Sequence, residues 1–137
     1  MANYYATARS NYFKVKDLEA FSAWCESVGG LQIIHGSEDK QGLVFLTVDE
    51  MDGGGWPTSR INPETEEPED LDFLVELSKH LEPGWVAIIM EVGSEKLRYL
   101  NGWAAAVNPE GKTKEVSLDH IYKLAEEMGP NVTRAEY

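Results

Sequence analysis

The sequence predicts an α+β fold in which helices pack on one face of a largely antiparallel sheet. Two observations predict this fold. Segments rich in β-branched and aromatic residues come mostly in closely spaced pairs, as antiparallel strands do. Amphipathic stretches with apolar residues at three- and four-residue steps separate these pairs. The predicted order is β-α-β-β-α-β-β-α, and the 137 residues are enough for a single domain, 1–137.

The first third of the chain predicts a strand, a helix and a hairpin. Asp17 is a good N-cap, and the apolar positions after it repeat with a helical period until Gly29 and Gly30 end the helix. A polar, glycine-bounded turn separates the next two apolar runs, which therefore pair as a hairpin. The predicted elements are a strand over 4–15, a helix over 18–28 and strands over 31–35 and 43–48.

A long acidic loop is predicted over residues 49–68, since this stretch combines consecutive glycines, prolines and many charges. Pro68 suits the first turn of a helix, and the acids after it suit the positive end of the helix dipole. The apolar pattern then predicts a helix over 69–81, which Pro83 and Gly84 end.

A second strand pair is predicted over residues 85–92 and 96–107, with its turn at Gly93-Ser94. Asn101-Gly102 is an alternative turn, because Asn-Gly is the strongest short hairpin signal. We interpret it as a bulge in a long strand, since the Gly93 turn already pairs two apolar runs. After a loop over 108–114, Ser117 is expected to cap a last helix over 118–128.

The predicted order of elements shares its first six members with ferredoxin-like topology. The helix-then-hairpin unit occurs twice, but the two copies show no repeat of residues. The topology is shared by many unrelated proteins, so it indicates a fold and carries no function.

Negative charge is concentrated in the middle of the chain. Residues 38–91 contain fourteen acids and three bases, a net charge of −11 out of −12 for the whole chain. A one-sided field of this size repels nucleic acid and attracts basic surfaces. The middle of the chain is therefore the predicted site for binding a partner, and the acids expected to supply the field are Asp49, Glu50, Asp52, Glu64, Glu66, Glu67, Glu69, Asp72 and Glu76.

These same residues also have a purely structural interpretation. Acids at the start of a helix are favoured by its dipole, and acidic loops keep proteins in solution. Trp56 in the acidic loop is either a core residue or an apolar anchor for a partner, since Trp is enriched in interface hot spots.

No catalytic, cofactor or metal signature accompanies the acids. The glycines at 53–55 lack the Gly-Lys-Ser/Thr that a phosphate-binding loop needs, and the three histidines lack metal-ligand spacing. His80 near a helix end is expected to favour a partly charged imidazole. Cys25 lies on the apolar side of its helix, where a buried, unreactive thiol is expected. Aromatic and basic residues around strand 4–15 hint only weakly at binding of single-stranded nucleic acid.

The chain resembles small acidic accessory proteins of phages and mobile elements. The resemblance lies in its size, its sequence pI near 4.6, its single Cys and its clustered acids over 64–76. This group includes anti-restriction and anti-CRISPR proteins that act as DNA mimics. The resemblance is one of type and covers the middle of the chain; no shared motif carries residues over. Strong mimics are acidic all over, whereas both flanks here are balanced, which favours a local acidic patch.

The sequence thus predicts a non-enzymatic inhibitor or adaptor that docks its acidic loop and helix onto a basic, nucleic-acid-binding protein of a host defence system. No direct nucleic-acid or membrane binding is expected. The lone Cys favours the cytoplasm, and the resemblance implies a bacterial host. One alternative is a small-molecule-binding or enzymatic domain with a cleft beside Gly53–Pro57. Another is a subunit of a larger assembly that buries Trp56, Trp103 or the last helix against a second copy.

Overall fold

A computed structural model of the protein describes residues 4–49, 54–95 and 99–135, and these contain eight strands and three α-helices. The helices are α1 (Leu18–Val28), α2 (Phe73–Ser78) and α3 (His120–Glu126), with a short 3-10 helix at Glu38–Lys40. The strands are β1 (Tyr4–Ser10), β2 (Leu31–His35), β3 (Val44–Val48), β4 (Ser59–Ile61), β5 (Pro68–Asp70), β6 (Ala87–Glu95), β7 (Tyr99–Val107) and β8 (Thr113–Ser117). The predicted α+β class is confirmed.

Six strands form one antiparallel sheet in the order β2-β3-β1-β6-β7-β8, and β4 pairs with β5 in a separate ribbon. α1 connects β1 to β2, and β3 lies between these two strands in the sheet. α2 precedes β6, and β1 lies between β3 and β6. This interleaving is the split β-α-β arrangement of ferredoxin-like topology. β7 and β8 extend the sheet on one side.

One face of the sheet carries the core, beneath α1 and α2. The Asp17 carboxylate caps α1 as predicted, accepting hydrogen bonds from the Glu19 and Ala20 amides, and Gly29 ends the helix at a φ of 83°. Burying one large apolar side chain contributes roughly 1.5–3 kcal/mol. The largest fully buried side chains are Phe13, Phe21, Leu46, Leu77, Leu81, Ile89 and Val107.

The segment between β3 and α2 differs from its prediction as a loop followed by a helix. The stretch 49–68 contains β4, which pairs with β5 at Pro68–Asp70 in a register that places Arg60 opposite Glu69. Pro68 belongs to β5, and α2 begins only at Phe73, after Asp72 as its N-cap. Alternating apolar residues are the sequence signal of a strand. β4 and β5 are short, lack this alternation and are held by polar contacts, so the sequence did not indicate them.

The turn predicted at Gly93-Ser94 is wrong. β6 runs on through Glu95, in an unbroken register with β7 that ends at the pair Glu95–Tyr99, so Asn101-Gly102 forms neither a turn nor a bulge. Both glycines allow a side chain to approach the strand closely. A Cβ at Gly93 would lie 2.6 Å from the Tyr4 hydroxyl, and one at Gly102 would lie 2.9 Å from Leu118 Cδ1.

The end of the chain also departs from its prediction. Residues 113–117, expected to be loop and helix cap, form β8 on the edge of the sheet. α3 begins at His120, and none of its residues is buried. The helices that contribute buried residues to the core are therefore α1 and α2. In the described part of the chain, no helix has the length and apolar character needed to cross a bilayer.

Candidate acidic interface

The turn between β4 and β5 displays the densest group of exposed acids in the described ranges. The Asn62 side-chain oxygen accepts hydrogen bonds from the amides of Glu64 (2.8 Å) and Thr65 (3.3 Å). The Glu66 amide donates to the Asn62 carbonyl, and the Asn62 amide donates to the Glu67 carbonyl, each at 2.8 Å. These bonds fix the turn, so its carboxylates project from a defined backbone rather than from a loose loop. We call residues 59–70 the acidic hairpin.

Glu66 has a backbone φ of 60°, in the left-handed region. This conformation is unfavourable for a residue with a Cβ and is normally taken by Gly or Asn. The side chains of Glu64, Glu66 and Glu67 are all exposed, and none forms an ion pair with another described residue. The turn thus presents three carboxylates to solvent.

Two predicted interface acids point inward instead. Arg60 donates to Glu69 at 3.0 Å and also pairs with Glu76. Glu69 accepts a second bond from the Asn62 amide group, and Glu76 accepts one from the Trp24 indole. The Arg60 hydrogen bond, followed by that from Asn62, holds the pKa of Glu69 below its ordinary value. These acids therefore fasten the hairpin to α1 and α2.

The remaining predicted acids are spread over different elements. Asp72 is exposed and caps α2, accepting a hydrogen bond from the Val75 amide. Asp49 is exposed at the end of β3, where it lines a groove together with Thr7 and Arg9 of β1. Glu50 and Asp52 lie outside the described residues. The structure thus brings together on one turn Glu64, Glu66 and Glu67.

Trp56 is a core residue in this conformation. Only 7% of it is exposed; its ring lies 5.3 Å from that of Phe73, and its indole donates to the Met90 carbonyl at 3.0 Å. An anchor for a partner must be accessible, so the structure supports the core alternative that the sequence left open. Beside it opens a cleft of about 460 Å³ lined in part by Phe73, Trp103 and Glu115.

A buried carboxylate, which the sequence did not single out, holds the segment before the hairpin. Glu91 on β6 is 7% exposed and accepts bonds from the Tyr4 hydroxyl (2.7 Å), the Trp56 amide (2.8 Å) and Asn101 (3.3 Å). Glu91 occupies a core-facing position in the alternation of β6, and this position is the sequence signal that could have indicated its burial. Gly54 lies against β1, where a Cβ would clash with the Ala6 carbonyl oxygen.

The histidines and the cysteine form no reactive centre. Among the described residues, no group of three or more His, Cys, Asp or Glu could hold a metal ion. His80 packs against the rings of Phe21 and Trp24, and burial followed by nearby Lys16 lowers its pKa. The expected partly charged imidazole is therefore wrong. Burial raises the pKa of Cys25 to about 12, which keeps the thiol protonated and unreactive.

The aromatic and basic residues around β1 are divided between the two faces of the sheet. Tyr4 and Phe13 point to the core side, whereas Tyr5 and Arg9 point to the opposite side. The Arg9 guanidinium lies 4.0 Å from the centre of the Phe45 ring, a cation–π contact within the chain.

Comparison of the chain with known protein families, curated proteins and solved structures finds no match.

Proposed function

We propose that the protein is a non-enzymatic inhibitor or adaptor that docks the acidic hairpin onto a basic surface of another protein. The observation that carries this proposal is the turn at 62–67, whose backbone bonds fix three exposed carboxylates without a cation beside them in the described structure. Asp70 and Asp72, both exposed, continue the negative surface toward α2.

The fixed turn favours docking in two ways. A binding segment that is already ordered loses less conformational entropy when the complex forms. A local negative field also raises the association rate with a positive surface and repels unsuitable partners. Both effects need acids that are exposed and held in place, as Glu64, Glu66 and Glu67 are.

The partner we propose is a nucleic-acid-binding protein of a host defence system. Clefts that bind a phosphate backbone are rich in Lys and Arg, and a dense group of carboxylates can occupy them in place of phosphates. The middle of the chain, with its net charge of −11, is repelled by nucleic acid itself. This role places the protein in the cytoplasm of a bacterial host.

The test is a tagged pull-down from bacterial lysate at low and high salt, with mass spectrometry of the retained proteins. The variant E64Q/E66Q/E67Q removes the three turn charges while keeping the side-chain shapes. Its matched control, E19Q/E26Q/E110Q, removes three exposed charges from α1 and the loop after β7.

We expect the turn variant to lose the basic partner by about tenfold or more in affinity, and the control to retain it. Equal retention of the partner by both variants would contradict the proposal, as would a partner whose binding does not weaken with salt. Circular dichroism should show that both variants remain folded.

A second candidate function uses the cleft beside Trp56. Its apolar floor, with Asp70, Asp72 and Glu115 among its lining residues, suits a small ligand with an apolar body and a cationic group. A thermal-shift screen against such ligands and metals tests it, because a ligand that binds only the folded form raises the melting temperature.

A further inference from the structure

The sheet has a second face, turned away from α1 and α2, on which large apolar side chains are exposed. Strand alternation places on this outer face the residues between the core positions, and five of them are 54% to 71% exposed: Tyr5, Met90, Val92, Leu100 and Val116. No described helix packs over them. A two-layer fold ordinarily buries such a face or leaves it polar.

Strand register makes this apolar surface continuous. Met90 on β6 faces Ala104 on β7, which faces Val116 on β8. Val92 follows Met90 on the same side of β6, and Leu100 lies diagonally across from Val92 on the neighbouring strand. Monomeric proteins rarely expose contiguous apolar patches above about 300–600 Å², and larger patches mark binding surfaces.

α3 extends the surface with an apolar stripe of its own. Ile121 and Leu124 on α3, with Leu118 just before the helix and Met128 just after it, are 55% to 90% exposed and follow one another at three- and four-residue steps. The stripe starts on the outer face, because the Leu118 side chain lies over Gly102 and its amide bonds the Gly102 carbonyl at 2.8 Å. No residue of α3 is buried, and Leu100 stays 63% exposed although Arg134 of the tail lies near it, so the described residues leave most of the outer face uncovered.

Charge on the outer face is unlike that of the rest of the chain. Among the described strand residues that point to this side there is no Asp or Glu, although the chain carries twenty-four acids. The charged strand residues on this side are Arg9 and Lys114, while Asp49, Asp119 and Arg134 lie at its margins. α3, in contrast, carries acids near the end of its stripe, at Glu126 and Glu127.

We infer that two copies of this chain associate reciprocally, with α3 of each copy lying across the outer face of the other. The interaction is separate from the proposed docking of the acidic hairpin. In a twofold interface each copy contributes the same two surfaces. The interface therefore contains two equivalent contacts, each between the apolar stripe of α3 in one copy and the outer face of the other. Arg9 and Lys114 of one copy then face Glu126 and Glu127 of the other.

Charge and area both favour a second copy as the occupant. Two chains of net charge −12 repel each other through most of their surface, and the face whose described strand residues carry no acid is where they can approach. If each of the nine exposed side chains contributes on the order of 100 Å², the surface matches the ~800 Å² per partner of a standard specific interface.

The experiment measures the mass of the purified full chain by light scattering during size-exclusion chromatography, at micromolar and near-millimolar concentrations. We expect a dimer, twice 15.3 kDa. Three variants then locate the interface: V92K on the outer face, L124E on α3, and the control I61E on β4. Ile61 is 58% exposed and lies on the acidic hairpin, away from both surfaces.

V92K and L124E should each weaken dimerisation ~100-fold or more, since a charge would be buried in an apolar interface, while I61E should leave it unchanged. Mixing V92K with L124E should restore a heterodimer, because one contact then pairs a Lys with a Glu and the other is unaltered.

Three outcomes would overturn the inference. A monomer at every concentration excludes a second copy, even if the face then binds a single-stranded oligonucleotide or a lipid vesicle. A dimer unaffected by L124E excludes the role of α3. A dimer weakened equally by I61E excludes the outer face as the specific contact. Circular dichroism of each variant separates loss of association from loss of folding.

Discussion

The acidic hairpin and the outer face of the sheet are opposite in nearly every property. The hairpin is polar, negatively charged, and built from short strands joined by a turn that side-chain and backbone hydrogen bonds hold. The outer face is apolar and broad, carries no acid in its described strand residues, and belongs to the most regular part of the fold. One small chain thus separates its charge from its exposed apolar area.

This separation assigns a different physical chemistry to each surface. Binding through the hairpin would depend on long-range electrostatics, which salt screens. Association through the outer face would depend on burial of apolar area, which salt does not screen. The two surfaces can therefore be disturbed independently, and the changes below run from the largest expected effect to the smallest.

Glu91 links the two regions, because its carboxylate holds the segment before the hairpin while its neighbours Met90 and Val92 lie on the outer face. E91L would leave the buried Trp56 amide without its acceptor and would remove the acceptor of the partly buried Tyr4 hydroxyl. We expect a loss of roughly 3 kcal/mol in the free energy of unfolding, since each unsatisfied buried group costs about 1–3 kcal/mol. Urea denaturation followed by Trp fluorescence measures it.

The exposed acid Glu110 offers a control for this change. E110L should shift the free energy of unfolding by less than about 0.5 kcal/mol, as surface substitutions do. If E91L and E110L unfold at the same urea concentration, the Glu91 network does not hold the loop.

Salt should change the two interactions in opposite directions. Raising the ionic strength should weaken capture of a basic partner by about tenfold or more, because opposite charges are screened. The same change should leave the dimer unchanged or strengthen it, since it screens repulsion between two negative chains. Pull-down and light scattering across one salt series measure both, and a dimer that dissociates as salt rises would contradict the assigned surfaces.

Arg60 should make the hairpin's stability depend on acid pH. Its hydrogen bond holds the pKa of Glu69 below the ordinary value of 4.5, so the folded state binds this proton less readily than the unfolded state. The resulting stabilisation is present above pH 4.5 and is lost as pH falls through the lower, folded pKa.

R60M should remove the part of the stability loss at acid pH that comes from Glu69. Urea denaturation between about pH 3 and 6 measures this change in the free energy of unfolding. An unaltered pH dependence in R60M would show that the ion pair adds nothing to folding. K79M, which replaces an exposed base next to α2, is the matched control.

The smallest expected effect concerns His80. Burial lowers its pKa below the ordinary 6.5, so the unfolded state takes up a proton first as the solution is acidified. Stability should therefore be complete above pH 6.5 and decline as pH falls from there toward the folded pKa. H80Q should flatten this decline, whereas H35Q, at an exposed histidine, should not; identical curves for the two variants would contradict it.

Sequence reasoning located the elements whose signals are local. Asp17 and Gly29 mark both ends of α1, and the hairpin of β2 and β3 follows from two apolar runs around a polar turn. It failed for β4, β5 and β8, because these strands lack apolar alternation. The ion pair of Arg60 with Glu69 joins β4 to β5, and pairing with β7 holds β8.

The same limit applies to the candidate site. Charge counting identified the middle of the chain, but it could not separate Glu64, Glu66 and Glu67, which face solvent, from Glu69 and Glu76, which bind Arg60. Nor could it find the exposed apolar stripe of α3, because an amphipathic pattern predicts a buried side without saying which chain buries it.

The left-handed backbone at Glu66 bears on how this protein could be engineered. A residue with a Cβ in that conformation loses roughly 1–2 kcal/mol relative to one in the ordinary helical region, and glycine would relieve most of the loss. Selection for thermal stability alone would therefore favour E66G and remove one of the three turn carboxylates. A library screened for melting temperature should drift away from the acidic turn, while one screened for binding should retain the strained residue.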